Sequence, residues 1–281
     1  MNLGAARHQP VGVFDSGVGG LSVLNALRAA LPYERFVYFA DAAHAPYGER
    51  DDAFVAQRTQ AVAHDLRDTH GIKALVVACN TATAAAIHLL RADHPGFPLV
   101  GLEPALKPAV ALSRTRQVAV LATRGTVTSR KFQALRDALA GQVHFHAVAC
   151  DGLATAIEQA DSAQIARLCE RYVRKAGDFG TAAGQIDTLV LGCTHYPLVA
   201  DEFRRHTGVS VGFLDTGVPV AQQTRRLLAA ADLLADDAQA GDVRLTGSGD
   251  VAALEAAAAR WLSRQAGFTE ATAWTAGPES A

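Results

Sequence analysis

Five short apolar runs constrain this chain most: Val11 to Phe14 (VGVF), Phe36 to Ala40 (FVYFA), Ala74 to Ala78 (ALVVA), Val118 to Ala122 (VAVLA) and Thr188 to Gly192 (TLVLG). Unbroken runs of this length suit strands whose two faces are both covered, because a strand with one wet face alternates polar and apolar residues. Between them lie Ala/Leu/Arg segments with helical spacing, such as Leu21 to Ala30 and Phe54 to Arg67. Strand and helix in alternation predict a parallel α/β sheet. At 281 residues the chain exceeds one average domain, so two compact α/β units are expected.

The halves of the chain resemble each other at the level of whole supersecondary units. VGVFDSGVGG, turning at Asp15, is similar to VAVLATRGTV, turning at Thr123, and VVACNT around Cys79 is similar to VLGCTH around Cys193, at nearly the same offset. The expected organisation is two pseudo-symmetric parallel-sheet domains with a cleft between them. The first domain covers residues 9–103 and is completed by 218–268, where Asp242 to Asp250 reads as a strand and the Ala-rich stretch from Val251 as a helix. The second covers 104–217, and 269–281 reads as a flexible tail. Ligands of such sheets bind beyond the carboxyl ends of the strands, so facing halves bring Cys79 and Cys193 to one cleft.

The 26 basic and 28 acidic residues are balanced, and no Lys/Arg-rich run offers a nucleic-acid groove or a surface for anionic lipid. The expected partner is a small molecule. MNLGAARHQP lacks the charged start and apolar core of a secretory signal, and no apolar stretch approaches the ~18 residues that span a bilayer. A cytoplasmic protein is expected, and its four cysteines, which form no C-x-x-C pair, are expected to be free thiols.

In CNTAT, Cys79 ends a strand and a helix begins at once, with Asn80, Thr81 and Thr83 as capping residue types. A thiol at a helix N-terminus is expected to ionise more readily, and CTHYP repeats the arrangement at Cys193, Thr194 and His195. The free amides at two such helix starts form an anion site, suited to a carboxylate held between the thiols. Inverting a carbon needs a base on one face and an acid on the other, and two opposed cysteines meet that requirement. Cys150 and Cys169 lack the capped setting and read as structural.

Around the thiols, Asp15 ends the first strand, where it can orient a thiol proton or simply form an Asx turn. Ser16 and the glycines after it offer hydroxyl and backbone donors. His195 stands two residues from Cys193 and can assist it or be structural. Pro46, Tyr47 and Gly48 in HAPYGER form a rigid turn suited to a ligand, and equally to an ordinary surface. Glu158 can supply a further carboxylate or lie on a helix's wet face.

Other chemistries compete. GVGG followed by Asp41 imitates a dinucleotide fingerprint, but Ser22 occupies the third glycine position. Pyridoxal phosphate needs a lysine, and Lys73, Lys107, Lys131 and Lys175 lack a phosphate-loop setting. Cys193 with His195 can serve a thiol hydrolase or supply metal ligands. A two-lobed binding protein is the non-catalytic alternative.

Taken together, FDSGVGGLSVL, FADAAHAPYGER, VVACNTATA and LGCTHYPL resemble the glutamate racemase family, in the same order and across most of residues 11–250. The resemblance implies interconversion of L- and D-glutamate without cofactor or metal, supply of D-glutamate for bacterial peptidoglycan, and two α/β domains, often in a homodimer. It makes Cys79 and Cys193 the catalytic pair, with Asp15 and His195 their assistants and Glu158 a further carboxylate. Substrate contacts fall on Asp15, Ser16, Tyr47, Gly48, Asn80, Thr81, Thr194 and His195, and Thr123 is added as a candidate. CDGLATAIE departs from the proline-containing pattern usual before that glutamate, His44 replaces an arginine often found before PYG, and LDTG varies a more usual Asp-Ser-Gly. Aspartate is the alternative substrate.

Overall fold

The computed structural model describes residues 6–236 and 240–262, together with the backbone of 268–273. Among the described residues ten strands form two sheets, and every pairing between them is parallel. The first sheet holds β1 (Val11–Asp15), β2 (Phe36–Ala40), β3 (Ala74–Val77), β4 (Leu99–Gly101), β9 (Val243–Gly247) and β10 (Phe268–Ala273), in the order β10-β9-β2-β1-β3-β4. The second holds β5 (Gln117–Ala122), β6 (His144–Ala149), β7 (Thr188–Leu191) and β8 (Gly212–Leu214), in the order β6-β5-β7-β8. The order β2-β1-β3-β4 in one sheet is repeated as β6-β5-β7-β8 in the other, so the likeness of the sequence halves is a repeated topology.

The unbroken apolar runs have their reason in the packing. Val11, Val13 and Tyr38 point into one cluster with Leu21, Leu24 and Leu27, whereas Phe14, Val37 and Phe39 point into another with Val55, Val62 and Leu66. The second sheet is covered likewise, with Ala119 and Leu121 on one face and Val118 and Val120 on the other. Each fully buried Val, Leu or Phe contributes about 1.5–3 kcal/mol, so both faces of both sheets hold the lobes together. The returning helix Gly217–Ala230 lays Val220, Ala221 and Leu228 against Leu21 to Leu27, which ties the second lobe's exit to the first lobe's core.

Three features differ from the sequence reading. The strands β4 and β8, each 3 residues long, are too short to stand out as apolar runs. The tail expected from residue 269 carries β10, whose backbone pairs with the otherwise open edge of β9; residues 274–281 lie outside the described residues. Cys193 is followed by a turn and the 3₁₀ helix Tyr196–Val199 rather than by an α-helix, with Pro197 in its first turn. No helix among the described residues is long and apolar enough to cross a membrane.

Candidate active site

The loops after β1, β2, β3, β5 and β7 meet between the lobes and enclose a cavity of about 20 Å³, roughly the room of a single water. Its lining brings together Ser16, Tyr47, Gly48, Cys79, Asn80, Thr81, Thr123, Glu158, Cys193, Thr194 and His195, joined by Ala45, Pro46 and Ala154. Asp15 is absent from the wall and lies buried behind it.

Cys79 caps the helix Asn80–Asp93, its sulfur accepting from the Ala82 amide at 3.5 Å. The thiol donates to the Ser16 hydroxyl at 3.8 Å, and Ser16 donates to Asp15 at 3.4 Å, so Asp15 reaches Cys79 through Ser16 rather than directly. The expected easy ionisation is overturned. Burial pushes the Cys79 thiol up to about 12, with the Asp15 charge adding to it, and the Ala82 amide offsets only part of that. Burial likewise lifts Asp15 to about 6, against the pull of His195.

Cys193 lacks the capping amide of an α-helix and has a different neighbour. Its sulfur lies 3.6 Å from Nδ1 of His195, whose Nε2 lies 2.5 Å from Oε1 of Glu158. Burial disfavours charge on the imidazole, but the Cys193 sulfur and the Glu158 carboxylate on its two nitrogens prevail and push His195 well above its ordinary value. Glu158 is desolvated as well, yet His195 and the Val18 amide hold it below the usual carboxylate range. Glu158 therefore does not lie on a wet helix face. It ends the helix Leu153–Glu158 and reaches across to the first lobe, accepting from the Val18 amide at 2.7 Å.

The glycines after Asp15 are required by this closeness of the lobes. A methyl on Gly17 would stand 1.9 Å from Oε1 of Glu158, and one on Gly19 would stand 2.2 Å from Nδ1 of His195. Two further bonds cross the gap: the Thr194 hydroxyl donates to Asp15 at 3.1 Å, and the Ser22 hydroxyl donates to the Thr194 carbonyl at 2.7 Å.

Across the cavity, the Thr81 and Thr123 hydroxyls lie 3.1 Å apart, and Thr123 caps the helix Arg124–Thr128 by accepting from the Thr126 amide. The second helix start at the site thus follows β5, not β7. Gly48 packs on Thr123, where an added methyl would lie 2.8 Å from the Thr123 Cβ. Asn80 is 5% exposed, lines the cavity, and has neither amide atom paired within the protein, which leaves both a donor and an acceptor for a ligand.

Tyr47 lines the cavity and donates through its hydroxyl to Asp41 at 2.5 Å. Arg58 and His44 also hold Asp41, at 2.9 Å and 3.0 Å, together with the Ser248 hydroxyl. Asp41 is fully buried in that network, so it has no reach to a ribose, and the dinucleotide reading loses its acidic residue. None of the four lysines lines the cavity. Arg58, Ser248 and Ser22 were missed by sequence reasoning, since each reads as an ordinary helix or turn residue.

A family model described as Asp/Glu/Hydantoin racemase matches residues 21–230. A glutamate racemase of Pseudomonas syringae pv. tomato is 48% identical over 228 residues, 80% of this chain and 81% of that protein. The crystal structure of a glutamate racemase isoform from Bacillus anthracis superposes with a TM-score of 0.80 at 31% identity, covering 94% of this chain and 97% of that one. The Escherichia coli glutamate racemase, solved with L-glutamate and the activator UDP-MurNAc-ala, gives 0.77 at 30% identity with the same coverage. With the motifs, the repeated sheet topology and relatives of this similarity over most of their length, the chain belongs to the Asp/Glu/Hydantoin racemase family.

Proposed function

We propose that this protein interconverts L- and D-glutamate without a cofactor, using Cys79 and Cys193 as the two proton-transfer groups. One observation carries the reading: two buried thiols line the same cavity, one from each lobe, each with its own hydrogen-bonded carboxylate relay.

In the reaction one thiolate removes the α-proton, and the opposite thiol delivers its own proton to the other face of the carbon. The reverse reaction exchanges the roles. The α-proton is very weakly acidic, and each pKa unit between it and the base costs about 1.4 kcal/mol, so the site must stabilise the carbanion. The unpaired Asn80 amide can donate to a substrate carboxylate that takes up this charge. A substrate ammonium entering the enclosed site adds a positive charge beside Cys79, whose thiol burial disfavours ionising, which lowers the cost of forming a thiolate there. Ser16 with Asp15 can relay a proton at Cys79, and His195 with Glu158 at Cys193.

Glutamate as substrate is supported by the named relatives and by the L-glutamate complex of the Escherichia coli protein. On this reading the product supplies bacterial peptidoglycan, and the enzyme works in the cytoplasm as a homodimer, as the resemblance implies. The test is a circular-dichroism or chiral chromatographic assay with L-glutamate and then L-aspartate, without added cofactor and with a chelator present. Racemisation of glutamate supports the proposal. Conversion of aspartate alone changes the substrate, and activity on neither overturns the reading.

A further inference from the structure

The peptide unit between Gly17 and Val18 is gripped at both ends. Its carbonyl accepts from the Tyr38 hydroxyl at 2.6 Å, and its N–H donates to Oε1 of Glu158 at 2.7 Å. Tyr38 belongs to β2 of the first lobe and Glu158 to the second. The same Oε1 lies 2.5 Å from Nε2 of His195, whose other nitrogen faces Cys193. Hydrogen bonds therefore run unbroken from a strand of one lobe to the thiol of the other. Toward Cys79 the path from Tyr38 leaves this peptide unit: the N–H on the other side of Gly17 donates to Asp15 at 3.1 Å, and Cys79 reaches Asp15 only through Ser16.

Tyr38 is fully buried beneath the turn and does not line the cavity. We propose that Tyr38 is a positioning residue for racemisation, acting through the Gly17–Val18 peptide and Glu158 to hold His195 against Cys193. A hydrogen bond to a peptide carbonyl polarises the unit and strengthens donation by its N–H. It also fixes the plane of the peptide, and so the direction in which Val18 offers its proton to Glu158. Burial, with Asp15, Glu158 and Cys79 nearby, holds the phenol well above its ordinary value, so it remains a donor throughout the working range. Glu158 in turn is the only one of these groups to bond across the lobes and to His195 through a single oxygen.

This inference rests on the two-thiol reading, and the experiment separates the two. Tyr38→Phe deletes one oxygen and keeps the ring. Glutamate racemisation is measured for the wild type, Tyr38→Phe, Glu158→Gln and the double variant. For Tyr38→Phe we expect kcat to fall about three- to tenfold with KM within about twofold, and in the Glu158→Gln background we expect a further loss below about twofold, because the path is already cut. An equal loss in both backgrounds, no loss, or a loss carried by KM overturns the proposal. If Tyr38→Phe does not fold, or if Glu158→Gln is too slow to measure, Gly17→Ala attacks the same peptide by driving a methyl at the carboxylate. It should reproduce the Glu158→Gln loss, and unchanged kcat in that variant overturns the proposal. A wild type without racemase activity fails the function reading itself, whereas an active wild type with an unaffected Tyr38→Phe fails only this inference.

Discussion

Thr194, from the loop that carries Cys193, donates its hydroxyl to Asp15, the carboxylate behind Cys79, at 3.1 Å. The loop that carries Cys193 is thus bonded directly to the carboxylate that reaches Cys79 through Ser16, and each lobe completes the other's relay. The Glu158 bond to Val18 and the Ser22 bond to Thr194 join the same two lobes, so parting them would break both. With room for about one water in the closed cavity, a five-carbon substrate enters only when the lobes part.

Replacing either thiol tests the central assignment. Cys79→Ser or Cys193→Ser should lower glutamate racemisation by about 10²–10⁴-fold, the usual weight of a general acid or base, while far-UV circular dichroism stays unchanged. Each variant keeps one base, so it can still exchange the α-proton of one enantiomer with deuterated solvent. Near-normal turnover by either variant would remove the two-thiol mechanism.

The raised value of Cys79 makes a claim about reactivity. With burial pushing that thiol up to about 12, and Cys169 to about 12 as well, little of either is thiolate at neutral pH. Iodoacetamide at pH 7.5 should label Cys79 at least about tenfold more slowly than it labels glutathione, and the rate should climb with pH. Peptide mapping by mass spectrometry reads this directly. Labelling of Cys79 as fast as the free thiol would show that the helix N-terminus outweighs desolvation after all.

Much of this was legible in the sequence because it is local. The strands are read from unbroken apolar runs, and the motif residues sit at strand ends that any parallel sheet presents to one edge. Partnerships were not legible. Glu158 meets His195 across 37 residues and Val18 across 140, and no periodicity distinguishes a helix carboxylate facing another lobe from one facing water. Tyr38 sits in FVYFA like any core aromatic, and its hydroxyl finds a carbonyl only once the turn is folded over it. The acidity of Cys79 is not legible for a related reason: a helix start is visible in CNTAT, but the burial that outweighs it exists only once the chain has folded around the thiol.

Asp15 links the site to stability. Its folded-state value is raised from 3.8 to about 6, so between those values the native protein binds a proton that the unfolded chain has lost. The group therefore destabilises the fold as pH rises through this window, by an amount on the order of 3 kcal/mol once both forms are ionised. Asp15→Asn keeps the shape without the charge, so relative to wild type it should gain stability steadily from pH 4 to pH 6 and hold the gain above it. Urea unfolding across that range, compared pairwise so that other carboxylates cancel, measures the difference. A pH-independent difference would mean that Asp15 is ionised in the native state throughout.

Gly19 tests whether the contact of the lobes is needed for turnover or only for compactness. A methyl there falls 2.2 Å from Nδ1 of His195, an imidazole whose two nitrogens are already engaged by Cys193 and Glu158 and which has little freedom to turn aside. Gly19 has no positive φ, so Gly19→Ala introduces no backbone strain, and each lobe should fold as before. We expect kcat/KM to fall by at least about tenfold, in line with misplacing a catalytic group by about an ångström, with a melting temperature near that of wild type. Gly96→Ala is the matched control: with φ at +81° and nothing within 4 Å, it should lower stability while sparing activity. If both substitutions left kcat/KM unchanged, His195 would be free to move without cost, and the closed arrangement of Cys193, His195 and Glu158 would not be the one that turns over substrate.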